Sequence, residues 1–337
     1  MRVELRAQAT GYAGRCAIEE HYERISCLLE EVLPLSGRVF AAADGTCGDV
    51  RLMIRHIPSD SGELELSNTE RLAFSVTPVA ILEFTSAIDV DEGSAFKSIR
   101  VRQKDKAALL ESVAKRRFDE AVATLSLAIA IAHPSRLYLG WLQFLPESLA
   151  SDSKIGWGDV GRGTHIADEI GWPRVRVLEV RKVLEWFEAI PGWNSGVGQC
   201  PVGRAVAALS QALAIDRVEG GALSLIWAMV GLEALFCRQR EGLKAQLATN
   251  VQLLLGRWSA HKKRFGKVYD FRSAFLHGAL DVPFAHRIRQ EDELAWRFVW
   301  DSDEEAGLAM VVLLASVQEL IERGWHQLKF TTSIEPV

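Results

Sequence analysis

The chain has 337 residues, 48% of them hydrophobic and 25% charged. That composition belongs to a folded globular protein long enough for two cores, and it excludes disordered and fibrous classes. The formal charge of −5 is unevenly spread, because residues 200–290 carry 13 Lys/Arg against 6 Asp/Glu and the remainder is acidic. The longest apolar stretches, Leu125–Ala132, Ala222–Cys237 and Ala306–Val317, are too short for a bilayer span, and no apolar leader opens the chain. Five scattered cysteines (Cys16, Cys27, Cys47, Cys200 and Cys237) without CxxC spacing point to a reduced, cytoplasmic protein with no membrane attachment.

In chain order, Arg2–Gln8 reads as a strand. Glu19–Leu33 places Ile25, Leu28, Leu29, Val32 and Leu33 at helical spacing, and Pro34 ends it. From Gly37 to about Val90, short apolar runs (Arg38–Ala43, Val50–Ile57, Leu64–Leu66, Val79–Phe84) alternate with turn residues (Asp44-Gly45, Asp60-Ser61-Gly62, Ser67-Asn68). That is the punctuation of antiparallel strands. Asp105–Ala123 reads as a helix, and Thr124–His133 and Arg136–Phe144 are ambiguous, with strand favoured by their β-branched and aromatic content. Residues 1–150 are therefore expected to form an α+β domain.

Residues 150–172, rich in Gly, Ser and Asp, read as a long loop. Gly158, Gly161 and Gly163 lack both the preceding strand and the Gly-Lys-Ser/Thr ending of a phosphate loop. Arg174–Ile190 reads as a helix stopped by Pro191-Gly192, so 151–200 is expected to link two domains. Helices follow at roughly 202–214, 217–240, 242–256, 261–277, 291–299 and 303–324, with Gly278 and Pro283 parting the fourth from the fifth. Residues 201–326 are thus expected to be an all-α bundle.

Two of these helices carry the candidate chemistry. In 217–240, Leu223, Ile226, Trp227, Val230, Ala234 and Cys237 form an apolar stripe with Glu233 inside it. In 261–277, Val268, Phe271, Phe275 and Leu276 form the expected inward stripe, with Arg272 between Val268 and Leu276. Opposite charges on buried faces should pair, because an unpaired buried charge is costly, so a Glu233–Arg272 ion pair is expected. His277 precedes Gly278, a natural residue just past a helix end, and an imidazole in a last turn suits the helix dipole. The cluster Arg257, Lys262, Lys263, Arg264 and Lys267 is either a solvated helix face or a surface for phosphates.

The segment Tyr269-Asp270-Phe271-Arg272-Ser273-Ala274-Phe275-Leu276-His277-Gly278, with Gly231-Leu232-Glu233-Ala234-Leu235-Phe236 upstream, resembles the Apea-like branch of the HEPN superfamily over roughly residues 200–325. The resemblance implies a HEPN-like helical bundle, a homodimer whose two motifs face one cleft, and metal-independent cleavage of RNA in bacterial stress response or anti-phage defence. It implies Arg272 and His277 as catalytic residues, supported by Ser273, Glu233 and Tyr269, with no cofactor.

The residue types suit that chemistry. In metal-free cleavage the ribose 2′-hydroxyl attacks phosphorus, one group takes its proton and another protonates the departing 5′ oxygen. Histidine serves both tasks near neutral pH. A guanidinium clamps the charge gathering on the phosphate oxygens. The expected products are a 2′,3′-cyclic phosphate and a 5′-hydroxyl. Five residues turn an ideal helix through about 140°, so Arg272 and His277 do not share a face on a regular helix. Either the arginine bends round, or the last turn unwinds, or a second chain completes the site; the resemblance implies the last. The other histidines form no HxH or HExxH spacing, and there is no GxSxG elbow. A non-catalytic module binding nucleic acid or a protein through the same basic stretch is the other reading the residues leave open.

Overall fold

The structure is a computed structural model and describes residues 1–12, 26–42, 44, 46–57, 78–97, 102–134, 138–145, 160–214, 221–238, 241–259, 261–284 and 293–330. The chain is mostly helical, with a small antiparallel sheet in its N-terminal part and a helical C-terminal part. It divides into two compact units, Met1–Trp157 with Glu179–Leu184, and Gly158–Leu178 with Glu185–Val337.

The first unit contains β1 (Arg2–Tyr12), helical residues 26–32 (α1), β2 (Val39–Ala41), β3 (Val50–Arg51), β4 (Met53–Ile57), β5 (Pro78–Asp89), α2 (Glu92–Ala95), α3 (Lys106–Ala132) and β6 (Tyr138–Leu145). The strands form an antiparallel sheet in the order β4-β5-β1-β6, and β2 pairs separately with β3. The side-chain period of two sends Val3, Leu5, Ala7 and Ala9 of β1 into the core, where Leu82, Phe84 and Ile88 of β5 and Phe118, Val122 and Leu125 of α3 are also buried. The alternate positions Glu4, Arg6 and Gln8 lie on the opposite face. The predicted run Leu64–Leu66 and residues 19–25 of the first predicted helix lie outside the described residues.

One expectation in this unit is corrected. Thr124–His133 is not a strand but the end of the 27-residue α3. The continuous apolar run arises because the helix is buried almost all round there, not because the residues alternate. Its two hydroxyls are satisfied inside the helix, Thr124 Oγ1 donating to the Glu120 carbonyl (2.9 Å) and Ser126 Oγ to the Val122 carbonyl (2.8 Å).

The second unit holds α4 (Gly161–Ile170), the end of α5 (Val180–Glu188), α6 (Pro201–Leu213), α7 (Gly221–Phe236), α8 (Leu243–Leu255), α9 (His261–Leu276) and α10 (Glu293–Arg323). The predicted loop 150–172 is corrected over its second half, which is helix α4 packed on α10; residues 150–159, Gly158 among them, lie outside the described residues. Gly163 is there because the backbones nearly touch: a Cβ on it would stand 2.5 Å from the Gly307 carbonyl oxygen and 3.1 Å from Val311 Cβ. The predicted helix from Arg174 begins only at Val180. Before it, Gln318 binds both backbone groups of Arg176, Oε1 accepting from its N–H (2.9 Å) and Nε2 donating to its carbonyl (2.8 Å), which holds the segment out of helix.

The two helices predicted at 291–299 and 303–324 are one, the 31-residue α10. No Gly or Pro separates them, and Ser302 Oγ donates to the Val299 carbonyl at 2.9 Å rather than capping a new start. The apolar stripe assigned to α7 is also corrected. Ala222, Leu225, Ala228, Met229, Leu232, Leu235 and Phe236 are buried, whereas Leu223, Trp227 and Val230 are 47%, 38% and 38% exposed. An apolar helix surface on both sides gives periodicity nothing to choose between.

Candidate active site on helices α7 and α9

Glu233 on α7 and Arg272 on α9 form the predicted ion pair, with Arg272 Nη2 3.4 Å from Glu233 Oε1 and side chains 19% and 20% exposed. Charge alone holds it: Glu233 Oε1 and Arg272 Nε are both buried without a hydrogen-bond partner. The guanidinium lies over the Tyr269 ring, its carbon 5.9 Å from the centroid. Burial pushes the Glu233 carboxyl above the ordinary range, and the Arg272 charge offsets only part of that. One turn further on, the Cys237 thiol is pushed up to about 12 by burial and by Glu233, so it is no nucleophile at neutral pH.

The α9 stripe is corrected in part. Phe265 and Val268 are its buried residues, Phe271 and Phe275 are half-buried, and Leu276 is 48% exposed. Phe271 and Phe275 lie against Phe298 of α10 with centroids 6.1 and 6.2 Å apart, which steadies the end of the helix. There the His277 N–H donates to the Ser273 carbonyl (3.0 Å), the Gly278 N–H to Phe275 (3.2 Å) and the Ala279 N–H to Ala274 (2.8 Å). With Gly278 at φ +69°, this is a Schellman cap. The helix stays regular as far as His277, so the alternative in which its last turn unwinds does not occur. His277 is exposed at the end of the helix and Ser273 is half-buried one turn before it.

The basic cluster separates into two kinds of residue. Arg257, Lys263 and Lys267 are exposed and make no ion pair with a described residue. Arg264 is different: its guanidinium reaches Glu305 at 2.8 Å and also binds Glu304, fastening α9 to α10. Burial raises the Glu305 carboxyl even beside that cation. The side chain of Lys262 lies outside the described residues. Lys244 on α8, which the sequence did not single out, pairs with Asp270 of the motif at 2.7 Å. Charge type at surface positions gives no signal for such a pair before the helices are packed.

Among the described residues no group of three or more His, Cys, Asp or Glu side chains could hold a metal ion, and no helix is long and apolar enough to cross a membrane. Compared with protein-family models, with curated proteins and with solved structures, the chain matches none.

Proposed function

We propose that the helical unit is a metal-independent endoribonuclease of the HEPN type, in which Arg272 and His277 act on one phosphodiester of RNA and two copies of the chain complete the site. One observation carries the reading: an exposed imidazole stands at a capped helix end five residues beyond a guanidinium whose position is set by Glu233 and Tyr269. Histidine accepts the proton of the attacking 2′-hydroxyl, Arg272 binds the phosphate oxygens, and the histidine of the second copy protonates the departing 5′ oxygen. The outward stripe Leu223, Trp227 and Val230 supports association with another chain, since α7 leaves it uncovered. Arg257, Lys263 and Lys267 supply charge for the RNA backbone. The N-terminal unit senses, restrains or positions, and the setting is bacterial defence or stress response.

The test is cleavage of single-stranded RNA in EDTA by the wild type, Arg272→Ala and His277→Ala. Each substitution is expected to slow cleavage by about 100-fold or more, as loss of a general acid–base or of an oxyanion clamp does. The wild-type product should carry a 2′,3′-cyclic phosphate. Equal cleavage by all three proteins rejects the assignment. The ion pair also suits a non-catalytic module in which Arg272 only fastens two helices; Arg272→Ala would then lower the melting temperature while no preparation cuts RNA.

A further inference from the structure

We infer that the outer face of the four-stranded sheet is a phosphodiester-binding surface, on which Arg6 and Arg55, held in place by Glu83, grip the backbone of a single nucleic-acid strand. That the strand is RNA rests on the function proposed above; the grip itself does not.

Glu83 is the organising group. It lies in mid-sheet, with Gln8 of β1 opposite it on one side and Arg55 of β4 on the other. It is only 7% exposed, on a face that also carries Met53 and Ile57 of β4. Arg6 Nε donates to Glu83 Oε2 at 2.7 Å, Arg6 Nη2 donates to the same oxygen, and Gln8 Nε2 reaches it at 3.3 Å. Arg55 Nε stands 3.6 Å from Oε1. Burial works to raise this carboxyl, but the hydrogen bonds from Arg6 and Gln8 and the two positive charges outweigh it and hold it ionised.

Two cations thus share one anion, leaving a single positive charge, which matches the single negative charge of a phosphodiester. Strands β1 and β4 flank β5, about 10 Å apart, yet both guanidiniums converge on one carboxylate and can close on one phosphate. Among the described residues, Arg6 commits two of its five N–H donors, both to Glu83, and Arg55 commits none at hydrogen-bond distance. Their side chains are 50% and 69% exposed, so the remaining donors are open to an acceptor. Fixing a guanidinium beforehand lowers the cost of ordering it on binding. Among the described residues the two guanidiniums stand exposed on a sheet face, whereas small-molecule sites are concave, so an extended strand fits it better than a free metabolite does.

The experiment uses the full chain carrying His277→Ala to stop cleavage, and follows a fluorescein-labelled 12-nucleotide RNA by anisotropy across a salt series. Arg55→Ala should weaken binding about 5- to 10-fold and reduce the slope of log K against log salt by about 0.7, the value of one lost phosphate contact on a single strand. Glu83→Gln should tighten binding and steepen the slope, because it removes the anion that competes with phosphate for both arginines while its amide oxygen still accepts from Arg6. Asp89→Asn removes the same charge from the same face, opposite Arg2 and away from Arg6 and Arg55, and should change little. Unchanged affinity and slope in Arg55→Ala at unchanged melting temperature would overturn the inference, as would an Asp89→Asn effect equal to that of Glu83→Gln, or absence of RNA binding altogether. Inorganic phosphate displacing the RNA at low millimolar concentration would overturn the commitment to a strand. Sensitivity to Arg55 without any cleavage would sink only the nuclease reading; cleavage with insensitivity to Arg55 would sink only this one.

Discussion

Glu233 is a carboxylate moved largely out of water with one cation beside it and no hydrogen bond to that cation. Its raised pKa means that folding favours the protonated form. The stabilising contribution of this group is therefore complete below the ordinary carboxylate range and is lost as pH rises through its raised value. Glu233→Gln keeps the shape and removes the charge, so at pH 7 the variant should melt no lower than the wild type. The gap should close below about pH 4, where both proteins carry a neutral group. The same variant removes the charge that orients Arg272, so RNA cleavage should fall while stability does not. Melting curves from pH 3.5 to 8 beside cleavage rates check both; a clear loss of stability at neutral pH would show that the pair is structural. The pair was legible in the sequence, but for a reason that was half wrong. Leu223, Trp227 and Val230 of the stripe supposed to carry Glu233 inward face outward, and the pair is half-buried, not in the core. Charge complementarity survived the error because a half-buried charge also demands a partner.

At the scale of elements, the sequence was most legible where a helix has one apolar side and clear ends. Gly278 was read as the residue beyond α9, and it is the left-handed residue of the cap. Legibility failed where burial is all round, as at the end of α3, and where a glycine serves contact and not a turn. Gly163 looks like loop punctuation beside Gly161, but its function is to let α4 approach Gly307 of α10. Gly163→Ala should then destabilise by about 1–3 kcal/mol through overpacking, even though alanine is the better helix former. Urea unfolding measures this; a variant as stable as the wild type would mean that the helices separate freely there. The cluster around Glu83 was not foreseen, because a polar residue every second position on β1 signals only an exposed face. The register that sets Arg55 and Gln8 on either side of Glu83 exists only once the strands pair.

At the scale of the whole molecule, the expected domain limits of 201–326 leave out parts that the second unit uses. Trp172 stacks on Trp258 at 5.1 Å, Gln318 holds the backbone of Arg176, and Arg176 binds Glu319. A fragment 201–330 would leave Gln318 and Glu319, both buried, without these partners, and would expose the side of α10 that α4 covers. A fragment 158–330 should fold with a cooperative melt, and 201–330 should not, as circular dichroism would show; equal melts would mean that 158–200 only decorates the bundle.

Helix α10 touches α4, α6, α7, α8 and α9, and residues 305–321 are buried without interruption. None of these five helices can detach from the shared strut at small cost, since peeling one away bares a length of that strut to water. Fraying is left to the outermost turns, and a weakness introduced at any one of these contacts is shared by all of them, including the one that carries the imidazole.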